Sequence, residues 1–249
     1  MVQAACADAL AVDLAEQFDA IRPGPFDRCV VAVQGPGMGR WLRAFMATRA
    51  GAWGGVETPF LRGLLLGLAA PLAGGMAPRG REDVAELRFR VASALHQALG
   101  DAGHPSHAAL RGTLVDAEGA IDHARLLSMA LTLAEAFDRA EVDRPDLVQA
   151  WERGASARES SWSPRLVELE AWQRPIWNAA ARDWPTRAAW KALHTLVQTL
   201  ERGRVPDGVA LPAFLSVFGV SSLPPFMVKA LQAIARHVPV TLQIGRAHV

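Results

Sequence analysis

Short apolar runs rich in β-branched residues stand near both ends of this chain, and they constrain its fold most. The segments Arg28–Gln34, Phe214–Val220 and Val238–Ile244 have the length and composition of buried strands. A Gly-Pro-Gly turn and a helical pattern over Met38–Arg49 follow the first run, and a Pro-Pro turn and a helical pattern over Phe226–His237 follow the second. Strands that alternate with helices favour parallel pairing. The sequence therefore predicts an α/β fold with a parallel sheet.

The middle of the chain has a helical pattern almost throughout, and one more helix precedes the first strand. Apolar residues recur at helical spacing in these segments: Ala7–Ile21, Leu61–Leu72, Asp83–Leu99, Ala120–Ala140, a short helix from Pro145, Arg165–Arg182 and Thr186–Arg202. We therefore predict an α/β domain formed by residues 1–60 and 206–249, interrupted by a helical subdomain over residues 61–205. The chain stops just after a strand, and we expect an N-terminal piece of a longer protein whose last five residues are not native.

The composition excludes several classes of protein. A hydrophobic fraction of 51% excludes a disordered chain, and a formal net charge of +1 excludes a broadly basic DNA-coating protein. Two cysteines, Cys6 and Cys29, provide neither a disulfide framework nor a zinc site. The N-terminus has no basic segment typical of a signal peptide, and the most apolar stretch is shorter than the about 20 residues that span a bilayer. We expect a cytoplasmic protein that does not contact a membrane.

The glycine-rich turn after the first strand, Gly35-Pro-Gly-Met-Gly-Arg40, is a candidate phosphate site. A nucleotide-binding P-loop requires a lysine and a hydroxyl residue at its end, and both are missing here. The dinucleotide-binding glycine pattern has a different spacing. A helix N-terminus after a parallel strand can still bind phosphate through its backbone N–H groups. Arg40 could neutralise a phosphate there, and Trp41 could either stack on a base or pack in the core.

A second candidate region alternates acids and arginines. Residues 134–154 contain Asp138, Arg139 and Arg144, which is typical of a solvated helix face but also of a groove that contacts exposed bases. Arg187 follows an aromatic residue in the same manner, after Trp184-Pro185. No nucleophile motif and no metal-ligand spacing is present, so the sequence predicts no catalytic residue and no metal site.

Four segments, in matching order, resemble the RecC family, the gamma subunit of exodeoxyribonuclease V. They are VVAVQGPGMGRWL (30–42), AFDRAEVDRPDLVQAWERG (136–154), AWQRPIWNAA (171–180) and FLSVFGVSSLPPFMVKALQAIARHVPVTLQI (214–244). The resemblance implies a degenerate helicase-like, P-loop-type domain with a large helical insertion. It also implies a non-catalytic subunit that channels single-stranded DNA and scans for recombination hotspots during double-strand-break repair.

The resemblance further implies partners and binding residues. The partners would be a helicase–nuclease beta subunit, a helicase alpha subunit, and single-stranded or forked DNA. ATP and Mg²⁺ would act in those partner subunits, with no cofactor in this chain. The implied DNA-binding residues are Gln34, Arg40, Trp41, Asp138, Arg139, Arg144 and Arg187. We expect adjacent parallel strands beneath Gln34 and Gly219, and a single path shared by Gln34, Arg144 and Arg187.

Two alternatives stay open beside the DNA-binding subunit. One is an α/β enzyme that holds a phosphate ligand at the Gly35–Arg40 turn, although no general base or metal ligand is recognisable near that turn. The other is a protein-interaction scaffold with no DNA contact.

Overall fold

A computed structural model describes residues 2–4, 6–24, 26–50, 53–75, 81–157 and 161–245. The chain divides into two compact units. The sheet unit comprises Met1–Pro78 and Ala189–Val249, and the helical unit comprises Arg79–Ala188. No helix in the described part of the chain is both long enough and apolar enough to cross a membrane.

The sheet unit is built on five strands: β1 (Val2–Ala4), β2 (Cys29–Val33), β3 (Val56–Glu57), β4 (Phe214–Val220) and β5 (Val240–Gly245). Their order across the sheet is β1-β5-β4-β2-β3, and every neighbouring pair is parallel. Strands β2 and β4 lie side by side, with Cys29 opposite Phe214 and Val33 opposite Phe218. The predicted parallel sheet is therefore confirmed, including the adjacent strands that end before Gln34 and at Val220.

Both faces of the central strands are buried, which explains why these strands read as continuous apolar runs rather than as an alternating pattern. On one face, Val31, Val33 and Phe218 join a core with α1 (Ala7–Ile21) and α2 (Pro36–Ala50). The residues that alternate with them, Val30 and Val217 among them, are also fully buried. The remaining helices of this unit are α3 (Leu61–Ala69), which a 3-10 turn extends over Ala70–Ala73, and α10 (Pro225–Ile234), with most of α9 (Pro185–Glu201).

The helical unit has its own core, formed by α4 (Arg81–Gly100), α5 (His107–Leu114), α6 (His123–Asp143), α7 (Pro145–Glu152) and α8 (Pro164–Ala180). Phe137 lies at its centre, in edge-to-face contact with Trp151 and Trp177 at ring-centroid distances of 6.1 and 5.2 Å. Glu170 on α8 accepts hydrogen bonds from Trp151 Nε1 at 2.8 Å and from the backbone N–H of Ala157 at 2.7 Å. These bonds fasten the polar segment after α7 to α8.

The observed units differ from the predicted domains at their boundaries. Helix α3 packs against β2, and Trp190 on α9 lies 6.4 Å from Phe226 of α10, measured between ring centroids. Residues 61–72 and 189–202 thus belong to the sheet unit, although their sequence pattern is helical. The helical unit is consequently shorter than the predicted 61–205. The last four residues, part of the predicted non-native end, lie outside the described residues.

Candidate nucleic-acid interface

Gln34, in the turn between β2 and α2, and Arg40, near the start of α2, are both exposed beside the carboxyl edge of the sheet. Gly35 and Gly37 have negative φ angles, and a Cβ atom at either position would have no heavy atom within 4 Å. Neither glycine is therefore required by the backbone conformation or by crowding. Gly39 differs, because a Cβ there would lie 3.0 Å from Thr58 Oγ1. A Cβ atom at this position would crowd the Thr58 side chain, so glycine suits the close approach of α2 to the segment after β3.

Trp41 is half-buried on the inner side of α2. Its ring lies 5.4 Å from Phe45 and 6.2 Å from Phe218, so it packs against the core beneath α2. This is the core-packing alternative that the sequence left open beside base stacking. A contact between the exposed edge of Trp41 and a base stays a prediction.

The ends of β2 and β4 lie together because the strands are neighbours in the sheet. Gly219, near the end of β4, has a φ of +71°, and a Cβ there would lie 3.8 Å from the Met38 side chain. The first turn of α2 therefore lies directly against the end of β4. Connections leave β2 towards β3 and β4 towards β5, in opposite directions along the sheet. Ligands of open α/β sheets bind in the crevice at such a reversal, and Gln34 stands at this position.

In the helical unit, Asp138, Arg139 and Arg144 lie on the C-terminal part of α6 and at its junction with α7. Arg139 is exposed, and Asp138 is half-buried. Arg144 Nη2 lies 2.8 Å from Asp146 Oδ2, and both side chains are largely exposed. The hydrogen bond from Arg144 lowers the pKa of the Asp146 carboxyl, because it stabilises the ionised form.

Arg187 lies in the interior of the helical unit, with 3% of its surface exposed. Its Nη1 donates to Glu141 Oε2 at 2.8 Å, and its Nε donates to Glu152 Oε1 at 2.8 Å. The guanidinium is therefore a buried link from the start of α9 to α6 and α7. A direct contact between this group and DNA would require these ion pairs to open, and that contact stays a prediction.

The pairing of Arg187 with these two carboxylates is absent from the expectations drawn from the sequence. One signal was available: Glu141 continues the spacing of Leu126, Ala130, Leu133 and Phe137, which is the buried stripe of α6. An acid on such a stripe needs a buried cation. Arg187 and Arg144 both belong to the helical unit and Gln34 to the sheet unit, so the single path predicted through all three also stays a prediction.

Within the described ranges, no group of three or more His, Cys, Asp and Glu side chains is placed to hold a metal ion. The fold and the sites together define a class. This is a parallel α/β protein, interrupted by a helical unit, in which the connection from β2 into the start of α2 carries arginine but no lysine.

A family model described as "RecC, N-terminal domain" matches residues 1–245, and the chain belongs to this family. The resemblance inferred from the four sequence segments is thereby confirmed. The RecBCD enzyme subunit RecC of Escherichia coli is 25% identical to it over 224 residues, which cover 88% of this chain and 19% of that protein. The RecBCD enzyme subunit RecC of Haemophilus influenzae is 24% identical over 247 residues, 92% of this chain and 22% of that protein. The chain thus spans about a fifth of the length of these curated relatives.

Proposed function

We propose that this chain is part of a non-catalytic DNA-binding subunit of an exodeoxyribonuclease V complex. Its role is to channel single-stranded DNA and to scan it for recombination hotspots during double-strand-break repair. Membership of the RecC N-terminal domain family supports the assignment to such a complex. The observation that carries DNA binding is the exposure of Gln34 and Arg40 together at the carboxyl edge of a parallel sheet, where its strand connections reverse.

The sheet is proposed to be a degenerate helicase-like domain of the P-loop type. A working loop of that type needs a lysine for the β- and γ-phosphates and a hydroxyl for Mg²⁺. Here the connection from β2 into α2 reads Gln34-Gly-Pro-Gly-Met-Gly-Arg40, and the two lysines of the chain, Lys191 and Lys229, lie in α9 and α10. ATP hydrolysis is therefore assigned to the partner helicase subunits, and strand guidance is assigned to this chain.

In the helical unit, the proposed DNA contacts are Asp138, Arg139 and Arg144, whose side chains reach solvent at the end of α6. Arg144 is the residue best suited to test this surface, because its replacement should leave the fold intact. Its ion pair with Asp146 is exposed and contributes at most about 1 kcal/mol to stability. Arg187 is proposed to act indirectly, by fixing the carboxyl end of α6 through Glu141.

The test uses the whole complex assembled with the full-length subunit carrying Arg144→Ala. Arg111→Ala is the matched control, because Arg111 is an exposed arginine of the same unit, and no carboxylate of the described residues pairs with it. We expect Arg144→Ala to weaken single-strand binding by about 1–3 kcal/mol and to relax the response at one hotspot position. Unchanged binding and an unchanged hotspot response would contradict this assignment. DNA binding that survives the loss of all the proposed arginines would favour a scaffold role.

A further inference from the structure

Helix α2 carries an uncompensated basic face. Arg40 and Arg43 are exposed and lie three residues apart, so they neighbour each other on the outer side of the helix. Residues 36–50 include no Asp or Glu at all. Among the described residues, no carboxylate lies within ion-pair distance of either guanidinium. Arg40 and Arg43 therefore form an adjacent pair of exposed arginines on a helix that has no acidic residue of its own.

Arg43 is oriented by a hydrogen bond within its own helix. Its Nε donates to the backbone carbonyl of Gly39 at 3.2 Å. Gly39 itself is buried near the start of α2. A guanidinium held through Nε keeps its two terminal nitrogens available for a bidentate partner such as phosphate.

The neighbouring acidic helix does not neutralise this face. Helix α1 packs against α2 and carries Asp8, Asp13, Glu16 and Asp19. None of these carboxylates pairs with an arginine of α2 in the described structure. Asp13 instead accepts a hydrogen bond from Gln17 Nε2 at 2.6 Å.

We propose that Arg43 is a further DNA-contact residue and that, with Arg40, it clamps successive phosphates of a single strand passing Gln34. This inference rests on the proposed DNA-binding function and adds a residue and a chemical role to it. Phosphate is the chemistry that two adjacent, unpaired arginine forks recognise best. Contacts to phosphate position a strand without reading its sequence. The clamp therefore contributes affinity independent of base composition.

The test measures binding of fluorescent oligothymidine to the complex containing the full-length subunit, as a function of NaCl concentration. Arg43→Gln and Arg40→Gln are each expected to lower the slope of log affinity against log salt by about 0.7, and the double variant by about twice that. Arg202→Gln is the control. Arg202 is an exposed arginine of the same unit without an ion pair among the described residues, so its loss changes net charge equally. Its slope is expected to match that of the unmodified complex.

The outcomes separate this inference from the function on which it rests. If the unmodified complex fails to bind oligothymidine, the proposed function itself is wrong. If the unmodified complex binds but Arg43→Gln keeps the full slope, the phosphate clamp is wrong and the proposed function stands. If Arg43→Gln releases a partner subunit from the complex, the face is a protein interface and the clamp is again wrong.

Discussion

At the scale of single residues, the Arg187 guanidinium binds two carboxylates at the same time, each through different nitrogens. Glu141 is fully buried, and Glu152 retains 25% of its side-chain exposure. Burying charges is unfavourable unless each has a partner with good geometry. The ion pair to Glu141 is therefore the contact on which the local structure most depends.

Replacing Arg187 with Gln should destabilise the subunit by about 3–5 kcal/mol, because the buried Glu141 carboxylate loses its arginine. Arg144→Gln, which removes an exposed pair, should change the free energy of unfolding by at most about 1 kcal/mol. Urea unfolding followed by tryptophan fluorescence measures both, since Trp151 and Trp177 lie in the same core. The double variant Glu141→Gln/Arg187→Gln should recover part of the loss. Equal stability of the single and double variants would contradict this account.

Glu170 makes the stability of the helical unit depend on pH. Burial alone would raise the pKa of this carboxyl, but the hydrogen bonds from Ser156, Ala157 and Trp151, with the nearby Arg174, lower it below its ordinary 4.5. The ionised form is therefore favoured by folding, and its contribution is present above pH 4.5 and is lost as pH falls through the lowered value.

Glu170→Gln tests this sign directly. The variant should be less stable than the parent at neutral pH, and the difference should shrink as the pH falls below 4.5. Unfolding free energies measured from pH 7 to pH 3 give the comparison. A difference that stays constant across this range would show that the contribution of Glu170 does not depend on its charge.

Whether the environment of a residue could be predicted depended on how far away in the sequence its contact partners lie. The exposure of Gln34, Arg40 and Arg139 was accessible to sequence reasoning, because it depends on local helix and turn patterns. The burial of Arg187 was not, because its partners lie 46 and 35 residues away and are brought together only by helix packing.

At the scale of elements, α2 approaches the segment after β3 closely at Gly39. Gly39→Ala places a methyl group 3.0 Å from Thr58 Oγ1 and 3.5 Å from Val33 Cγ2. We expect a loss of about 1–3 kcal/mol, because α2 or the segment must shift.

Gly37→Ala is the matched control in the same turn of the same helix. Nothing lies within 4 Å of the added methyl group, and the helical backbone accepts alanine. This variant should be neutral or stabilising by up to about 1 kcal/mol. Thermal unfolding of both variants distinguishes them. Equal effects of the two substitutions would mean that close packing at Thr58 does not hold α2.

Long elements could be predicted from the sequence, and short ones could not. The periodic apolar residues of Ala7–Ile21 predict α1 with the observed bounds. Strand β3 has only two residues, and α5 has only Leu110 and Leu114 on its buried side. Neither is long enough to show a period. Strand β1, with three residues, was missed for the same reason.

At the scale of the whole molecule, each unit has its own core, and we expect each to unfold as a separate cooperative body. Leu14→Ala in the sheet unit and Leu95→Ala in the helical unit remove fully buried side chains and should each cost about 2–5 kcal/mol. Hydrogen exchange should show lost protection confined to the unit that carries the substitution. Equal loss in both units from either variant would indicate a single cooperative body.

The division of the chain was the part least accessible from sequence. Helical periodicity identifies a helix but does not say which core receives its apolar face. Helix α9 shows the difficulty, since Arg187 near its start pairs within the helical unit, whereas Trp190 contacts Phe226 in the sheet unit.

The pairing of β2 with β4 has a consequence for biosynthesis. Strand β2, which begins at Cys29, can pair with β4 only after Phe214 and the rest of β4 have been synthesised. At translation rates of about 5–20 residues per second, roughly ten to forty seconds separate the emergence of these two strands from the ribosome. During this interval the helical unit can fold, because its contacts lie within residues that have already been synthesised. Strand β2 meanwhile exposes an apolar edge to which chaperones can bind.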